Sequence, residues 1–260
     1  MKYLKKFIKI FIETKKYKPW MTDAEIAVIK QILINSKPKK ILEWGAGSST
    51  IFFSNLLPKK ISWTSIEHNK KYSEMVKTTL KKKLILNWYK NNTLYKTQFF
   101  PLFLKKICNF NKNNQRRQIT IHHIAPNHLP FSDKYEDGAY SDMKDYIDFP
   151  KNKNEYDLIF IDGRARSQCL RHALSLIKVD GIVILHDAHR EYYHDASKLY
   201  PYQMYLLDQS VKDLEPPYVG RGLWFGCKTD IINKILNIKN HTIFETNTGF
   251  DYKNLSKLED

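Results

Sequence analysis

Short apolar runs alternate along this chain with longer segments in which apolar residues recur at helical spacing. The first helix is predicted to start at the capping box of Thr22 and Glu25 and to run to about Leu33. Further helices are predicted at 48–57, 69–82, 167–177 and about 190–208. Strands are predicted at 41–43, 61–66, 118–126, 156–163 and 181–187, with a closing pair near 222–228 and 241–246. This alternation predicts a doubly wound α/β fold with a mostly parallel sheet and an antiparallel C-terminal edge.

The stretch ILEWGAGSSTIFFS joins a buried strand to a helix through a glycine-rich turn. Gly45 and Gly47 let a ligand approach the backbone, and the hydroxyl residues at 48–50 suit the first turn of a helix. The pattern differs from the dinucleotide fingerprint G-x-G-x-x-G, because the third small residue, Ser49, comes one position too early. A nucleoside with a sulfonium charge and an amino-acid tail requires an acidic residue near the turn, and Glu43 supplies one. The stretch therefore favours S-adenosylmethionine over NAD, with a plain strand-to-helix connection as the alternative.

An acidic residue ends the second predicted strand in register with this turn. Glu67 comes 22 residues after Gly45, and nucleotide-binding α/β proteins place a carboxylate that accepts hydrogen bonds from ribose hydroxyls about 20 residues on. Glu67 is therefore predicted to bind the ribose, with His68 beside it. The alternative is a solvated carboxylate at a strand end.

Polar side chains also end two later strands. One strand ends in Asp162, followed by Gly163 and Arg164, and the other ends in His186 and Asp187. Because ligands bind beyond the carboxyl ends of parallel strands, these groups are predicted to converge on the methyl donor. Two carboxylates and an imidazole suit either removal of a hydroxyl proton or the binding of a divalent cation. The alternative is that the aspartates accept hydrogen bonds from loop N–H groups.

The chain resembles class I S-adenosylmethionine-dependent methyltransferases in four stretches: ILEWGAGSST, SIEH, YDLIFIDGRAR and GIVILHDAHREYY. The first, combined with I-D-G-R-x-R and a later H-D, resembles a group that includes glycan O-methyltransferases. The resemblance covers 41–70 and 119–195. It implies a Rossmann-like sheet of seven strands and cofactor contacts at Glu43, Gly45, Gly47, Ser49, Thr50, Glu67, His68 and Asp162.

The resemblance also implies a role for a divalent metal. In metal-dependent O-methyltransferases of this class, aspartates at the ends of these two strands hold Mg²⁺, and Asp162 and Asp187 match their positions. The usual third ligand, an Asn after the second Asp, is Ala188 here. Two readings stay open: Asp162, His186 and Asp187 bind Mg²⁺ or Mn²⁺, or the site is metal-free and His186 is the general base.

Four residues are predicted to bind the acceptor. Arg164 and Arg166 suit a carboxylate or phosphate at the mouth of the site, or else they cap the following helix. Tyr140 and Tyr146, in an acidic stretch, suit sugar hydroxyls, or else that stretch is an ordinary acidic lid. A sugar or glycan acceptor is preferred. The alternatives are an RNA methyltransferase and a non-catalytic nucleotide-binding scaffold of the same fold.

The distribution of charge and the cysteine content bear on the surface contacts and the location of the protein. The formal net charge is +16, and one basic cluster is an N-terminal amphipathic helix that suits either an anionic membrane surface or its own domain. A second cluster, rich in lysine and aromatic residues, is predicted to be an insertion at about 84–118, and it keeps the RNA alternative open. Leading helices at 1–38 and a methyltransferase domain at 39–260 are expected. Three cysteines without metal spacing and the lack of a long apolar run predict a cytoplasmic protein, with peripheral membrane contact as an option.

Overall fold

A computed structural model describes residues 17–57, 60–91, 118–208, 222–236 and 244–247. The strands are β1 Lys40–Trp44, β2 Ser62–Glu67, β3 Gln118–His123, β4 Tyr156–Ile161, β5 Ile177–His186, β6 Tyr202–Asp208, β7 Gly222–Cys227 and β8 Phe244–Asn247. The helices are α1 Asp23–Ser36, α2 Ser48–Phe53, α3 Lys70–Asn91, α4 Tyr140–Ile147, α5 Arg166–Leu176, α6 His194–Ser197 and α7 Ile232–Ile235. A 3₁₀ turn, Glu191–Tyr193, precedes α6.

The strands form one sheet in the order β3-β2-β1-β4-β5-β7-β6-β8. The five strands from β3 to β5 pair in parallel, whereas β7, β6 and β8 add antiparallel pairs at the C-terminal side. The predicted doubly wound α/β fold is thus confirmed, with eight strands instead of seven because β6 joins the sheet between β7 and β8. The strand order reverses between β1 and β4, and at such a switch point the crevice beyond the carboxyl ends of the strands binds ligands.

Alternate side chains of the central strands enter two core layers, one on each face of the sheet. Ile41 of β1 packs in the first layer with α1, and Leu42 and Trp44 pack in the second with α5. Strands buried on both faces read as continuous apolar runs, which explains why β1, β4 and β5 are recognisable in the sequence. Each layer contains one buried free cysteine, Cys227 in the first and Cys169 in the second.

One predicted element is wrong. The segment assigned to a helix at about 190–208 forms the 3₁₀ turn and α6 and then becomes strand β6. Three consecutive residues of β6, Met204, Tyr205 and Leu206, are buried. A strand with both faces buried shows no alternation of apolar and polar residues. Periodicity therefore cannot distinguish it from a buried helix.

Two predicted surface features lie outside the described residues: the N-terminal amphipathic helix and most of the basic insertion. Helix α3 continues into the insertion as far as Asn91, beyond its predicted end at 82, and the description resumes at Gln118. Among the described helices, none combines the length and the apolar character that crossing a bilayer requires.

Candidate active site

A cavity of about 640 Å³ opens at the carboxyl ends of β1, β2, β4 and β5, where the strand order reverses. Its volume is in the range of small-molecule sites. It is lined by Trp20, Gly45, Ala46, Gly47, Ser48, Ser49, Glu67, His68, Asn69, Tyr72, Asp162, Gly163, Arg164, Arg166, His186, Asp187, His189 and Arg190. All the polar strand ends identified in the sequence therefore meet at one cavity.

The glycine turn after β1 lies against the end of β4. Gly45 has a φ of +98°, and a Cβ atom there would lie 2.5 Å from the Cα atom of Gly163. Its N–H donates to the carbonyl of Ile66 at 2.8 Å. Only glycine allows both this backbone conformation and this approach, so the turn brings the ends of three strands together beneath the cavity.

Glu43 lies under the turn and does not line the cavity. Its buried carboxylate accepts hydrogen bonds from the Ser49 Oγ (2.7 Å), the Thr50 Oγ1 (2.6 Å), the Trp63 Nε1 (2.9 Å) and the Ser65 Oγ (2.5 Å). Burial raises the pKa of Glu43 to about 7, although these hydrogen bonds act in the opposite direction. The geometry gives Glu43 and Thr50 a role in holding the turn, which differs from the predicted direct contact with a cofactor.

Glu67 ends β2 with its carboxylate at the cavity wall. Its Oε1 accepts the N–H of Asn69 at 2.8 Å and lies 3.0 Å from the Nδ1 of His68. Within the described part of the chain, no hydrogen bond is donated to its Oε2. The side chain is only 5% exposed. Because Glu67 lines the cavity, its second oxygen can accept a hydrogen bond from a ligand there, and the contact with a ribose stays a prediction.

His186 lies between two carboxylates at the floor of the cavity. Its Nδ1 lies 2.8 Å from the Oδ1 of Asp162, and its Nε2 lies 3.6 Å from the Oε1 of Glu25 in α1. Burial by itself would lower the pKa of His186, but Asp162, Asp187 and Glu25 outweigh it and raise the pKa to about 10. The surrounding carboxylates therefore favour the protonated imidazole, and the role of His186 as a general base stays a prediction.

Arg166 is buried in the floor of the cavity instead of standing at its mouth. Its Nη1 donates to the carbonyl of His186 at 2.7 Å and lies 3.2 Å from the Oδ2 of Asp187. Its Nη2 lies 3.5 Å from the Oδ1 of Asp162. Burial favours the neutral form of Asp187, but His186 and Arg166 hold its pKa well below the usual range. Arg166 was predicted to bind the acceptor, but its guanidinium contacts the two strand-end aspartates and the carbonyl of His186.

The predicted metal ligands do come together, because the candidate atoms of Asp162, His186 and Asp187 lie within 4.8 Å of one another. Aspartate oxygens are suitable ligands for Mg²⁺ or Mn²⁺. However, a ligating histidine must offer a lone pair, and both nitrogens of His186 face carboxylates. The guanidinium of Arg166 already contacts both aspartates. The surroundings of these groups do not fit a divalent ion.

The predicted acceptor residues divide into two groups. Arg164 lines the cavity, is exposed, and donates to the carbonyl of Glu136 at 3.2 Å. Tyr140 lies outside the cavity with its hydroxyl 2.6 Å from the Oδ2 of Asp148. Tyr146 is buried, and a Cβ atom at Gly163 would lie 2.2 Å from its hydroxyl oxygen. The tyrosines therefore support the surrounding loop and do not form part of the cavity wall.

Eight lining residues were not among the predicted site residues, and four of them have large polar or aromatic side chains: Trp20, Tyr72, His189 and Arg190. Trp20 is 86% exposed and stands between the buried residues Pro19 and Met21. Burial lowers the pKa of His189 to about 4, although Asp187 acts in the opposite direction, so this imidazole is neutral. His189 and Arg190 follow the H-D pair directly, and that position was the available signal. Nothing local marks Trp20, because its place at the cavity depends on the packing of α1.

No protein-family model and no curated protein sequence matches this chain. Among solved structures, a methyltransferase-like protein from Silicibacter pomeroyi is 14% identical, with a TM-score of 0.46, over 88% of this chain and 98% of its own. An O-methyltransferase from Bacillus cereus, in complex with SAH, is 14% identical, with a TM-score of 0.46, over 84% and 88%. Spermidine synthase from Thermotoga maritima is 16% identical, with a TM-score of 0.45, over 89% and 67%. These proteins are named for more than one activity. Structural similarity to them therefore does not indicate which activity this chain has.

Proposed function

We propose that this protein is an S-adenosylmethionine-dependent O-methyltransferase whose acceptor is a hydroxyl group of a sugar or glycan. The observation that carries the proposal is the carboxylate of Glu67, which presents an oxygen without a donor to a cavity beside a glycine turn at the switch point of the sheet. A ribose diol provides the two donors that such a carboxylate accepts.

The residues around the turn fit the rest of the cofactor. The backbone at Gly45 and Gly47 is open to the cavity, and the ring of Tyr72 lies beside Gly47. Asp162 directly follows β4 and lines the same cavity beside the glycine turn. When bound, S-adenosylmethionine supplies an electrophilic methyl group. The acceptor oxygen forms the new C–O bond as the S–C bond breaks, S-adenosylhomocysteine leaves, and the hydroxyl proton passes to water in the open cavity.

Asp187 is the residue best placed to orient the acceptor hydroxyl. It follows β5 with a φ of +52°, a left-handed conformation that aspartate tolerates better than most residues, and it lines the cavity. Its depressed pKa makes it a weak base, so its contribution is a hydrogen bond that aligns the hydroxyl. Alignment of the reacting atoms accounts for a large part of the barrier in displacement reactions.

A sugar acceptor is supported by the composition of the cavity mouth. The exposed ring of Trp20 offers a flat apolar face, and Arg164 and Arg190 offer hydrogen-bond donors beside it. This combination of one aromatic surface and several polar groups is typical of sites that bind small polar ligands. We therefore assign to Arg190 the acceptor-binding role that the sequence predicted for Arg166.

The proposal is tested in two steps with the full chain. Calorimetry with S-adenosylhomocysteine is expected to show one site, and a lack of binding at millimolar ligand would favour the non-catalytic scaffold. Transfer of labelled methyl groups is then measured over panels of monosaccharides, glycans and RNA. Transfer to a sugar hydroxyl supports the proposed acceptor, whereas transfer only to RNA replaces it with the alternative.

A further inference from the structure

We infer that the floor of this cavity has its own fixed cation, the guanidinium of Arg166, in the place where a divalent metal would bridge Asp162 and Asp187, and that the protein binds no metal there. The inference concerns the ion-binding chemistry of the cavity floor. It goes beyond the proposed methyl transfer and does not depend on it.

The backbone of Arg166 is fixed by the start of α5. Its N–H donates to the Oδ2 of Asp137 at 2.9 Å, and the N–H of Ala165 donates to the carbonyl of Asp137 at 2.7 Å. Ala165 has a φ of +51°, a conformation that is costly for alanine and is maintained only where the surroundings enforce it. The side chain of Arg166 therefore leaves the helix from a fixed position.

The guanidinium is then anchored to backbone carbonyls of both strand ends. Its Nε donates to the carbonyl of Gly163 at 2.9 Å after β4, and its Nη1 donates to the carbonyl of His186 at 2.7 Å at the end of β5. The side chain is only 10% exposed. Because these acceptors are main-chain atoms of the sheet, the guanidinium cannot swing aside without breaking both hydrogen bonds.

The same group contacts each aspartate that a metal would need. Its Nη1 lies 3.2 Å from the Oδ2 of Asp187, and its Nη2 lies 3.5 Å from the Oδ1 of Asp162. Arginine keeps its charge at all accessible pH values, so this cation is permanent. An incoming ion would have to bind beside a fixed positive charge at close range.

The aspartates of the floor also have other side-chain partners within the protein. The Oδ1 of Asp162 lies 2.8 Å from the Nδ1 of His186, and the Oδ2 of Asp187 lies 3.7 Å from the Nη2 of Arg190. Such partners compensate a carboxylate for its loss of water. A divalent ion would have to displace these contacts to reach the aspartate oxygens.

The test uses the untagged full-length chain after treatment with a chelator. Mn²⁺ is added, and its free concentration is followed by electron paramagnetic resonance, with and without S-adenosylhomocysteine. We expect no bound Mn²⁺ with a Kd below about 1 mM. One Mn²⁺ per chain with a Kd below about 1 mM, weakened in Asp187→Asn, would overturn the inference.

A variant tests the assignment to Arg166 itself. Arg166→Met keeps an apolar stem but removes the guanidinium, so the freed carboxylates are expected to gain a Mn²⁺ signal that the wild type lacks. A folded Arg166→Met that binds no Mn²⁺ would contradict the role of Arg166. If this variant does not fold, the wild-type titration still decides whether a metal is bound. Because the readout is metal binding, failure of the proposed methyl transfer leaves this result interpretable.

Discussion

At the scale of single residues, Glu67 gives the sharpest test of the cofactor site. Glu67→Ala is expected to weaken S-adenosylhomocysteine binding by about 1 to 3 kcal/mol, because charge-assisted hydrogen bonds to the ribose are lost. Glu74→Ala is the matched control, since Glu74 is an exposed carboxylate on α3 that does not line the cavity. Calorimetry on both variants measures the effect. Equal affinity of Glu67→Ala and the wild type would refute the ribose contact.

His186 gives a pH-dependent effect on stability. Its pKa is raised from 6.5 to about 10 in the folded protein. A raised pKa means that the folded state binds the proton more tightly, so the stabilisation is complete below pH 6.5 and is lost as the pH rises towards about 10. Urea unfolding of the wild type and His186→Gln at several pH values measures this. The difference in their free energies of unfolding should shrink between pH 6.5 and 10; a constant difference would contradict a protonated imidazole.

The polar residues that end the strands could be predicted from the sequence, but the side chains that contact them could not. Glu67, Asp162 and Asp187 were found because a polar residue after an apolar strand marks the ligand edge of a parallel sheet. The contact between His186 and Glu25 joins residues 161 positions apart and leaves no local pattern. For the same reason the guanidinium of Arg166 was expected at the mouth of the site, although it is buried beneath both strand ends.

At the scale of elements, the start of α1 links helix stability to the cavity floor. Thr22 and Glu25 form the predicted capping box, with the Oγ1 of Thr22 accepting the N–H of Glu25 at 3.1 Å and the Oε2 of Glu25 accepting the N–H of Thr22 at 2.8 Å. The other oxygen of Glu25 faces His186. The carboxylate of Glu25 therefore caps the start of α1 and also belongs to the charged cluster at the cavity floor.

Thr22→Ala is expected to lower the free energy of unfolding by about 0.5 to 2 kcal/mol, because an orphan N–H of the first turn loses its acceptor. Thr22→Ser retains the hydroxyl and is the control, with an expected loss of less than half that amount. Chemical denaturation of the two variants measures the difference. Equal losses would show that the methyl group of Thr22, and not its hydroxyl, matters.

Element boundaries were predictable where capping or glycine chemistry fixes them, as at the starts of α1 and α2. They were not predictable for β6, because its three central residues, Met204, Tyr205 and Leu206, are all buried and show no alternation. Its edges pair with β7 and β8, which come later in the chain. The pairing of β6 is decided by strands that come later in the chain.

At the scale of the whole molecule, the cavity is formed by four strands, so a ligand in it should stabilise the entire sheet. Saturating S-adenosylhomocysteine at 100 times its Kd is expected to add about 2.7 kcal/mol. For a chain of this size that corresponds to a rise in Tm of about 5 to 10 °C. Differential scanning fluorimetry measures the shift, and it should decrease in Glu67→Ala but not in Glu74→Ala. The absence of a shift at millimolar ligand would contradict the proposed cofactor.

The doubly wound architecture was predictable because the alternation of strands and helices determines it almost alone. Strand β6 and the part of the cavity wall formed by Trp20 were not predictable, because both depend on how distant segments pack against the sheet.

Among the described residues two cysteines are buried, Cys227 on one face of the sheet and Cys169 on the other, and each can report the exposure of its own face in a Cys108→Ser background. Burial raises the pKa of Cys227 to about 12 and the pKa of Cys169 well above its usual value, so neither thiol reacts while its layer is closed. The labelling rate at each cysteine therefore reports how often that face opens to solvent. Rates that match would mean that the sheet opens as one cooperative unit, whereas a faster Cys227 would show that the face bearing α1 detaches before the face bearing α5.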